Sequence, residues 1–260
     1  MAKKQGIIIG AGHNGLVAAC YLAKAGHRIT ILEARSIVGG AAVTEEFYPG
    51  FRNSTASYTV SLLHPTVISD LNLEAQGLEI LERPVSNFLP LPDGNHLALY
   101  PDLKKTVGEF AKFSDRDAKA LPRYYADLEA IVPLIRWVML QTPPATVSGG
   151  IGDLFKAIQL SRQFSALTAS QKRRLLKLFT VSADEYLSEY FESDPIKAVF
   201  GFDAVVGHFD SPYAPGSAYV LLHHVVGGVH GKSGTWGHAR GGMGAITQAM
   251  AREAESLGVV

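Results

Sequence analysis

The sequence predicts an α/β protein in which helices cover a parallel sheet, and three features of its first forty residues predict it. An apolar, β-branched run, Gly6 to Ile9, has the length and composition of a buried parallel strand. Gly10, Gly12 and Gly15 follow in the G-x-G-x-x-G register and open an apolar helical stretch through Leu16, Val17, Ala19, Cys20, Leu22 and Ala23, with Gly26 as its stop. A second strand, His27 to Leu32, then ends on an acid, Glu33.

Strand, glycine turn, helix, strand and terminal acid together form the Rossmann-type site for the adenosine and pyrophosphate of a dinucleotide. Gly10 permits the turn, Gly12 lets backbone approach the pyrophosphate, and Gly15 lets helix pack against strand. Ala11 and Asn14, between the glycines, belong to the same cofactor-binding loop. The first-turn N–H groups of the helix lack intrahelical partners, and the helix dipole adds about 0.3–1 kcal/mol for an anion there. Glu33 is placed to accept hydrogen bonds from ribose hydroxyls, about 1.5–3 kcal/mol each, and its charge disfavours a 2′-phosphate. These residues do not separate FAD from NAD, since both carry an ADP half.

The residues that follow lean towards flavin. GAGHNGL, EAR…VGG, GFRNSTASY and the distal GTWGHARGGMGA resemble the FAD-containing amine oxidase and phytoene desaturase superfamily, in its phytoene dehydrogenase-related branch, along essentially the whole chain. The resemblance implies that FAD is the cofactor, and that Arg35, Gly39, Gly40 and Ala41 lie with the Thr55 to Tyr58 segment along the pyrophosphate and towards the flavin ring. The superfamily often has Arg after the glycine pair. Here that place is Ala41, so a side-chain contact is missing.

Composition narrows the alternatives. The 260 residues are 47% hydrophobic and 18% charged, with 24 basic residues against 24 acidic, which advertises neither nucleic acid nor an anionic membrane as partner. A single cysteine, Cys20, rules out a disulfide redox couple within the chain and fits a packed position on an apolar helix. No signal or transit pattern is visible in MAKKQG, so a cytoplasmic location is expected, although the resemblance also admits the mitochondrial matrix. The apolar stretch Ala130 to Leu140 contains Pro133 and Arg136 and is too short to span a bilayer; a buried or cavity-lining helix is expected in preference to membrane contact.

Further along, Asp70 to Leu73 before Gly77 reads as a helix ending in a turn. Glu79 to Arg83, Val85 to Leu89 and His96 to Tyr100 have strand character around Pro92-Asp93-Gly94-Asn95, which predicts an antiparallel sheet and a second domain. Asp102 to Phe113 and Asp115 to Leu140 read as helices, with Leu121, Tyr124, Tyr125, Leu128, Ile131, Val132, Ile135 and Met139 on a core-facing stripe. A break at Thr142-Pro143-Pro144 and Ser148-Gly149-Gly150 precedes helices at 151–161, 170–179, 183–191 and 195–206, and Lys172-Arg173-Arg174 is expected on a solvated face. His223 and His224 are neighbours on a helix over 219–226 and point apart, so no metal site is predicted; a histidine facing substrate is the preferred role. The glycines of 227–244 serve either a polar ligand at the start of a helix over 243–257 or a crowded crossover.

The expected organisation is a first part of an FAD-binding domain at 1–75, an inserted α+β substrate domain at 76–235, and a return to the first domain at 236–260. Val259-Val260 reads as the start of a further strand, so the chain is expected to be the front part of a longer protein. The expected function is an FAD-dependent oxidoreductase taking hydride from a carbon–carbon or carbon–nitrogen bond of a small apolar organic substrate. The flavin carries the redox chemistry there, and no catalytic side chain stands out. The alternatives are a non-catalytic nucleotide-binding regulator and a NAD-dependent dehydrogenase.

Overall fold

β1 (Gln5–Ile9) and β2 (Arg28–Leu32) run in parallel, Gln5 opposite Arg28 through to Ile9 opposite Leu32, with α1 (His13–Lys24) as the crossover. This is the computed structural model of the chain, and it describes residues 3–145 and 149–260, so Ser148 of the expected break lies outside it. Gly26, at φ +87°, ends α1 as expected, its N–H donating to the Ala23 carbonyl. Val260 joins the far edge of β2, donating to the Ile29 carbonyl at 3.1 Å and accepting from Ile31 N–H at 2.7 Å. The expectation of a strand buried on both faces is not met by β1. Ile7 and Ile9 are 69% and 88% exposed, because α1 covers one face of the sheet and no described residue of the first unit covers the other.

Two compact units divide the chain: Met1–Arg83 with Gly227–Val260, and Pro84–Val226. These limits differ from the expected 75/76 and 235/236 because β5 (Ile80–Glu82) pairs antiparallel with Gly237–Ala239 and so stays with the first unit. The expected three-strand hairpin sheet therefore loses its first strand. A hairpin absent from the sequence expectations lies earlier in this unit, β3 (Thr44–Tyr48) against β4 (Phe51–Ser54) around Pro49-Gly50, with Gly50 at φ +82°. Between β4 and β5 lies α2 (Pro65–Asp70), which begins at His64 and gives way to a turn at Gly77, φ +85°.

The return segment of the first unit carries two short strands, β8 (Gly228–Val229) and β9 (Lys232–Ser233), then β10 (Gly237–Ala239) and α11 (Gly244–Ser256). Ala19 and Cys20 of α1 are fully buried in one cluster with Ile246, Ala249 and Met250 of α11; their small size lets the two helices approach. The amino end of α11 is occupied by protein. Gly244 N–H donates to Thr44 Oγ1 at 2.9 Å, and Met243 N–H donates to Ser54 Oγ at 3.0 Å. A Cβ on Gly242 would meet Thr44 Oγ1 at 2.4 Å and one on Gly244 would meet Thr44 N at 2.7 Å. Gly242 and Gly244 thus serve a crowded crossover, the second of the two readings the pattern allowed, whereas a Cβ on Gly231 or Gly234 would meet nothing within 4 Å.

The second unit is mostly helical. Its hairpin, β6 (Asn87–Pro90) against β7 (His96–Leu99), turns at Leu91–Asn95 with the Asp93 carboxylate accepting from Asn95 N–H at 3.0 Å. α3 (Leu103–Ala111) and α4 (Asp115–Glu129) begin at Asp102 and Ser114, whose side chains accept from first-turn N–H groups. The expected single helix to Leu140 is broken: α5 (Val132–Met139) starts anew at Ile131, with Pro133, which has no N–H to donate, in its first turn, whereas α4 continues through Pro122. α6 (Ile151–Ala166), α7 (Ala169–Thr180), α8 (Ala183–Ser188), α9 (Asp194–Asp203) and α10 (Ala218–Val226) complete the unit. The core stripe is buried at Leu121, Tyr124, Leu128, Ile131 and Val132, but Met139 is exposed.

Tyr124 is the hub of that core, its ring centroid 4.8 Å from Phe200, 5.2 Å from Phe191 and 5.4 Å from Tyr190. Pairs of this kind add about 0.5–1.5 kcal/mol each beyond their burial. Asp117, fully buried on α4, accepts from Glu192 N–H at 3.0 Å and Ser193 N–H at 2.9 Å and so fixes the start of α9. Arg174 does not sit on a solvated face; it is drawn inwards to Asp127 and Tyr190, leaving Lys172 and Arg173 exposed. Thr44→Val tests the crossover: the Gly244 amide loses its acceptor in a buried place, and urea denaturation is expected to show a loss of about 1–3 kcal/mol.

Candidate functional site

Gly10 ends β1 at φ +96° with its N–H on the Leu32 carbonyl at 2.7 Å, which turns the chain into α1. Gly15 has no room for a side chain: a Cβ there would meet the Gly10 carbonyl oxygen at 2.3 Å and Ile8 Cγ2 at 3.4 Å. That contact sets how closely the helix approaches the strand. Gly12 caps α1 in extended conformation, φ −72° and ψ 169°, with no side-chain cap on the first-turn N–H groups. His13 and Asn14 are exposed on that turn.

The Glu33 carboxylate reaches the same turn. Oε2 accepts from Ala11 N–H at 2.8 Å, and Oε1 accepts from Arg35 N–H at 3.0 Å. These amides, Arg35 first and Ala11 second, hold the carboxyl below its usual range, so the group is anionic throughout the physiological interval. Ala11 carbonyl in turn accepts from Gly39 N–H at 2.9 Å, and Gly12 and Gly39 form a parallel bridge. Gly39, φ +134°, opens a 3-10 turn over Gly40–Ala42. A Cβ on Gly40 would lie 3.2 Å from Gly12 Cα, so the two glycine segments touch backbone to backbone. Ala41 carbonyl accepts from Ser57 N–H at 3.2 Å, which lays the Thr55 to Tyr58 segment alongside. The Arg35 guanidinium is engaged with Glu45 of β3. The structure thus gathers Gly10, Ala11, Gly12, Gly15, Glu33, Gly39, Gly40 and Ala41 around one bend, with Asn14 at its rim and Arg35 turned to β3.

Comparison with known proteins agrees with this geometry. The model of the NAD(P)-binding Rossmann-like domain family matches residues 8–74. The pyridine nucleotide-disulfide oxidoreductase domain-containing protein 2 of Mus musculus is 38% identical over 97% of this chain and 46% of its own length. A phytoene desaturase of Cercospora nicotianae is 26% identical over 99% of this chain and 39% of its own. Among solved structures, wild-type putrescine oxidase bound to putrescine superposes with TM-score 0.56 at 19% identity, covering 100% of this chain and 51% of that one, a likeness of fold. The chain is similar in sequence to pyridine nucleotide-disulfide oxidoreductase domain-containing protein 2 and, more distantly, to a phytoene desaturase. It spans about half the length of the curated relatives it matches.

The second unit holds a feature that sequence reasoning missed. Asp203, the last residue of α9, lies with its Oδ1 3.7 Å from Nδ1 of His224 on α10 and accepts from Asn87 Nδ2 on β6 at 2.9 Å. Burial pushes the Asp203 carboxyl up to about 7, against the pull of the Asn87 bond. Burial likewise brings His224 down to about 4, and lowers His223, whose ring stands at 84° to that of His224. Tyr124, buried, and Tyr125, half-buried, face the same carboxylate. The signal in sequence was slight: two adjacent histidines, and an acid closing an apolar helix. Among the described residues no three His, Cys, Asp or Glu side chains converge to hold a metal. Cys20 is fully buried, its thiol raised to about 11 by desolvation and then by Glu253.

Folding therefore moves a proton from imidazole to carboxyl. With ordinary values of 6.5 and 3.8 the unfolded pair holds its proton on His224; folded, the carboxyl takes it. Between about 4 and 6.5 both states bind one proton and the pair contributes little pH dependence. Single variants unmask the halves. In Asp203→Asn the depressed imidazole remains, so stability present above 6.5 is lost as pH falls towards 4. In His224→Gln the raised carboxyl remains, so stability present below 3.8 is lost as pH rises through about 7. Each slope is at most about 1.4 kcal/mol per pH unit relative to the parent, read by urea denaturation. Parallel curves for the two variants contradict the assignment.

Proposed function

We propose that this chain provides the adenosine- and pyrophosphate-binding part of an FAD-dependent oxidoreductase acting on an apolar organic substrate. The observation that carries the proposal is the bend itself. An uncapped helix turn, the Glu33 carboxylate on the Ala11 amide and the Gly12–Gly40 contact meet at a place where a Cβ on Gly10 would touch nothing within 4 Å. Room, free donors and an acceptor suit an ADP group in that order: diphosphate at the α1 amides, ribose hydroxyls at Glu33, and the remaining pyrophosphate edge along Gly39, Gly40 and Ala41.

The flavin, when bound, accepts the hydride equivalent that the substrate loses. The chain's own residues bind and orient. Kinship with a phytoene desaturase and the fold shared with putrescine oxidase support redox chemistry at a carbon–carbon or carbon–nitrogen bond. The second unit, Pro84–Val226, is the proposed substrate domain, its helices supplying apolar walls. A lone, buried, protonated cysteine supports no disulfide step in this segment, whatever the name of the mouse relative.

Glu33→Ala and Gly12→Val test the reading in the protein at its natural length. The parent is expected to purify with flavin absorbance in the visible range. Glu33→Ala is expected to hold FAD at least about tenfold less tightly, the loss of one or two charge-assisted bonds. Gly12→Val is expected to release it, since the new side chain fills the approach to the diphosphate. Unchanged thermal unfolding separates these effects from misfolding. A colourless parent that ignores FAD and binds NADH overturns the proposal.

A further inference from the structure

None of the 16 residues of α6 is buried. Four of them, Ile151, Leu154, Phe155 and Ile158, recur at i, i+3, i+4 and i+7, the spacing of a helix face that a globular core normally covers, yet Ile151 is 77% and Phe155 66% exposed. Arg162 continues the same stripe one turn on. α7 carries a mixed version of the pattern, with Lys172, Arg173, Leu176 and Phe179 exposed while Leu175 and Leu178 are buried.

Charge distinguishes this segment from the rest of the chain. Residues 149–180 contain six basic side chains, Lys156, Arg162, Lys172, Arg173, Arg174 and Lys177, and one acid, Asp153, in a protein whose charges balance overall. Asp153 is taken by Lys156 at 3.0 Å, Arg174 by Asp127, and Lys177 by Glu189. Arg162, Lys172 and Arg173 have no acidic partner among the described residues. A core-like stripe beside cations that lack acidic partners is complementary to acyl chains beneath anionic headgroups.

We propose that α6 and the exposed side of α7 dock this protein onto an anionic phospholipid bilayer. α6 lies in the interface plane, about 24 Å long, with Leu154 and Phe155 among the acyl chains and Arg162, Lys172 and Arg173 on the headgroups. The contact is peripheral, since no helix among the described residues is long and apolar enough to cross a membrane. It lies elsewhere than the Ala130 to Leu140 stretch that composition singled out, where Ile131, Val132 and Leu134 are buried. The docking does not depend on the redox reading.

Vesicle flotation of the protein at its natural length tests this. Binding is expected to vesicles of phosphatidylcholine with phosphatidylserine, to weaken as salt rises, and to be slight with phosphatidylcholine alone. Lys172→Gln with Arg173→Gln is expected to weaken binding roughly fivefold for each charge removed. Leu154→Ser with Phe155→Ser is expected to cost at least about tenfold while leaving thermal unfolding unchanged, because α6 is not in the core. Phe155→Cys adds a reactive thiol to this segment, where Cys20 is buried, and a polarity-sensitive maleimide dye attached at the new position, read against the parent labelled in the same way, is expected to shift to the blue on anionic vesicles. Absence of binding by the parent, or undiminished binding by both paired variants, overturns the proposal. So does a Phe155→Cys variant whose new thiol is unreactive in lipid-free protein, which assigns the stripe to another part of the polypeptide.

Discussion

Ala11 is the peptide unit on which the first unit turns. Its N–H is held by the Glu33 carboxylate and its carbonyl by the Gly39 amide, so the glycine turn and the stretch after β2 meet at one residue. The arrangement exists only because Gly15 and Gly40 lack side chains that would collide with Gly10 and Gly12. Removing those two Cβ atoms brings backbone amides, and one carboxylate held anionic by them, to the same small volume. The proposed site for a diphosphate and a ribose rests on close packing and unpaired donors, without any cationic side chain.

A different constraint governs the second unit. Its core is aromatic, and Tyr124, Phe191 and Phe200 stack against elements that also carry Asp203 and His224. Low polarity there acts oppositely on acid and base: it raises the carboxyl and lowers the imidazole until the proton changes owner. Asp117 contributes at a distance, since its grip on the Glu192 and Ser193 amides sets where α9 begins and therefore where Asp203 ends it.

Apolar surface is distributed unevenly between elements that look alike in composition. The helix over Val132–Met139 buries Val132 and Leu134 in the core, whereas the apolar face of α6 is left to solvent. The open face of β1, with Ile7 and Ile9, is of the same kind. Neither can be told from a buried element by periodicity, because the pattern of a helix or strand records that a face is apolar and not what covers it.

What the sequence by itself determined is local. The glycine register, the two parallel strands, the acid at the end of the second and the start of α3 and α4 at Asp102 and Ser114 all depend on backbone geometry within a few residues, and each was legible from residue type and spacing. The β3–β4 hairpin has only Pro49-Gly50 to signal it, a turn that fixes a reversal of the chain without saying what pairs on either side. Only the tertiary structure decided the pairing of Ile80–Glu82 with Gly237–Ala239, the seating of α11 on Thr44, the inward turn of Arg174, and the meeting of Asp203 with His224. Partners separated by about twenty to two hundred residues are chosen by shape, burial and the need to satisfy buried polar groups, and none of these is written in the residues on either side.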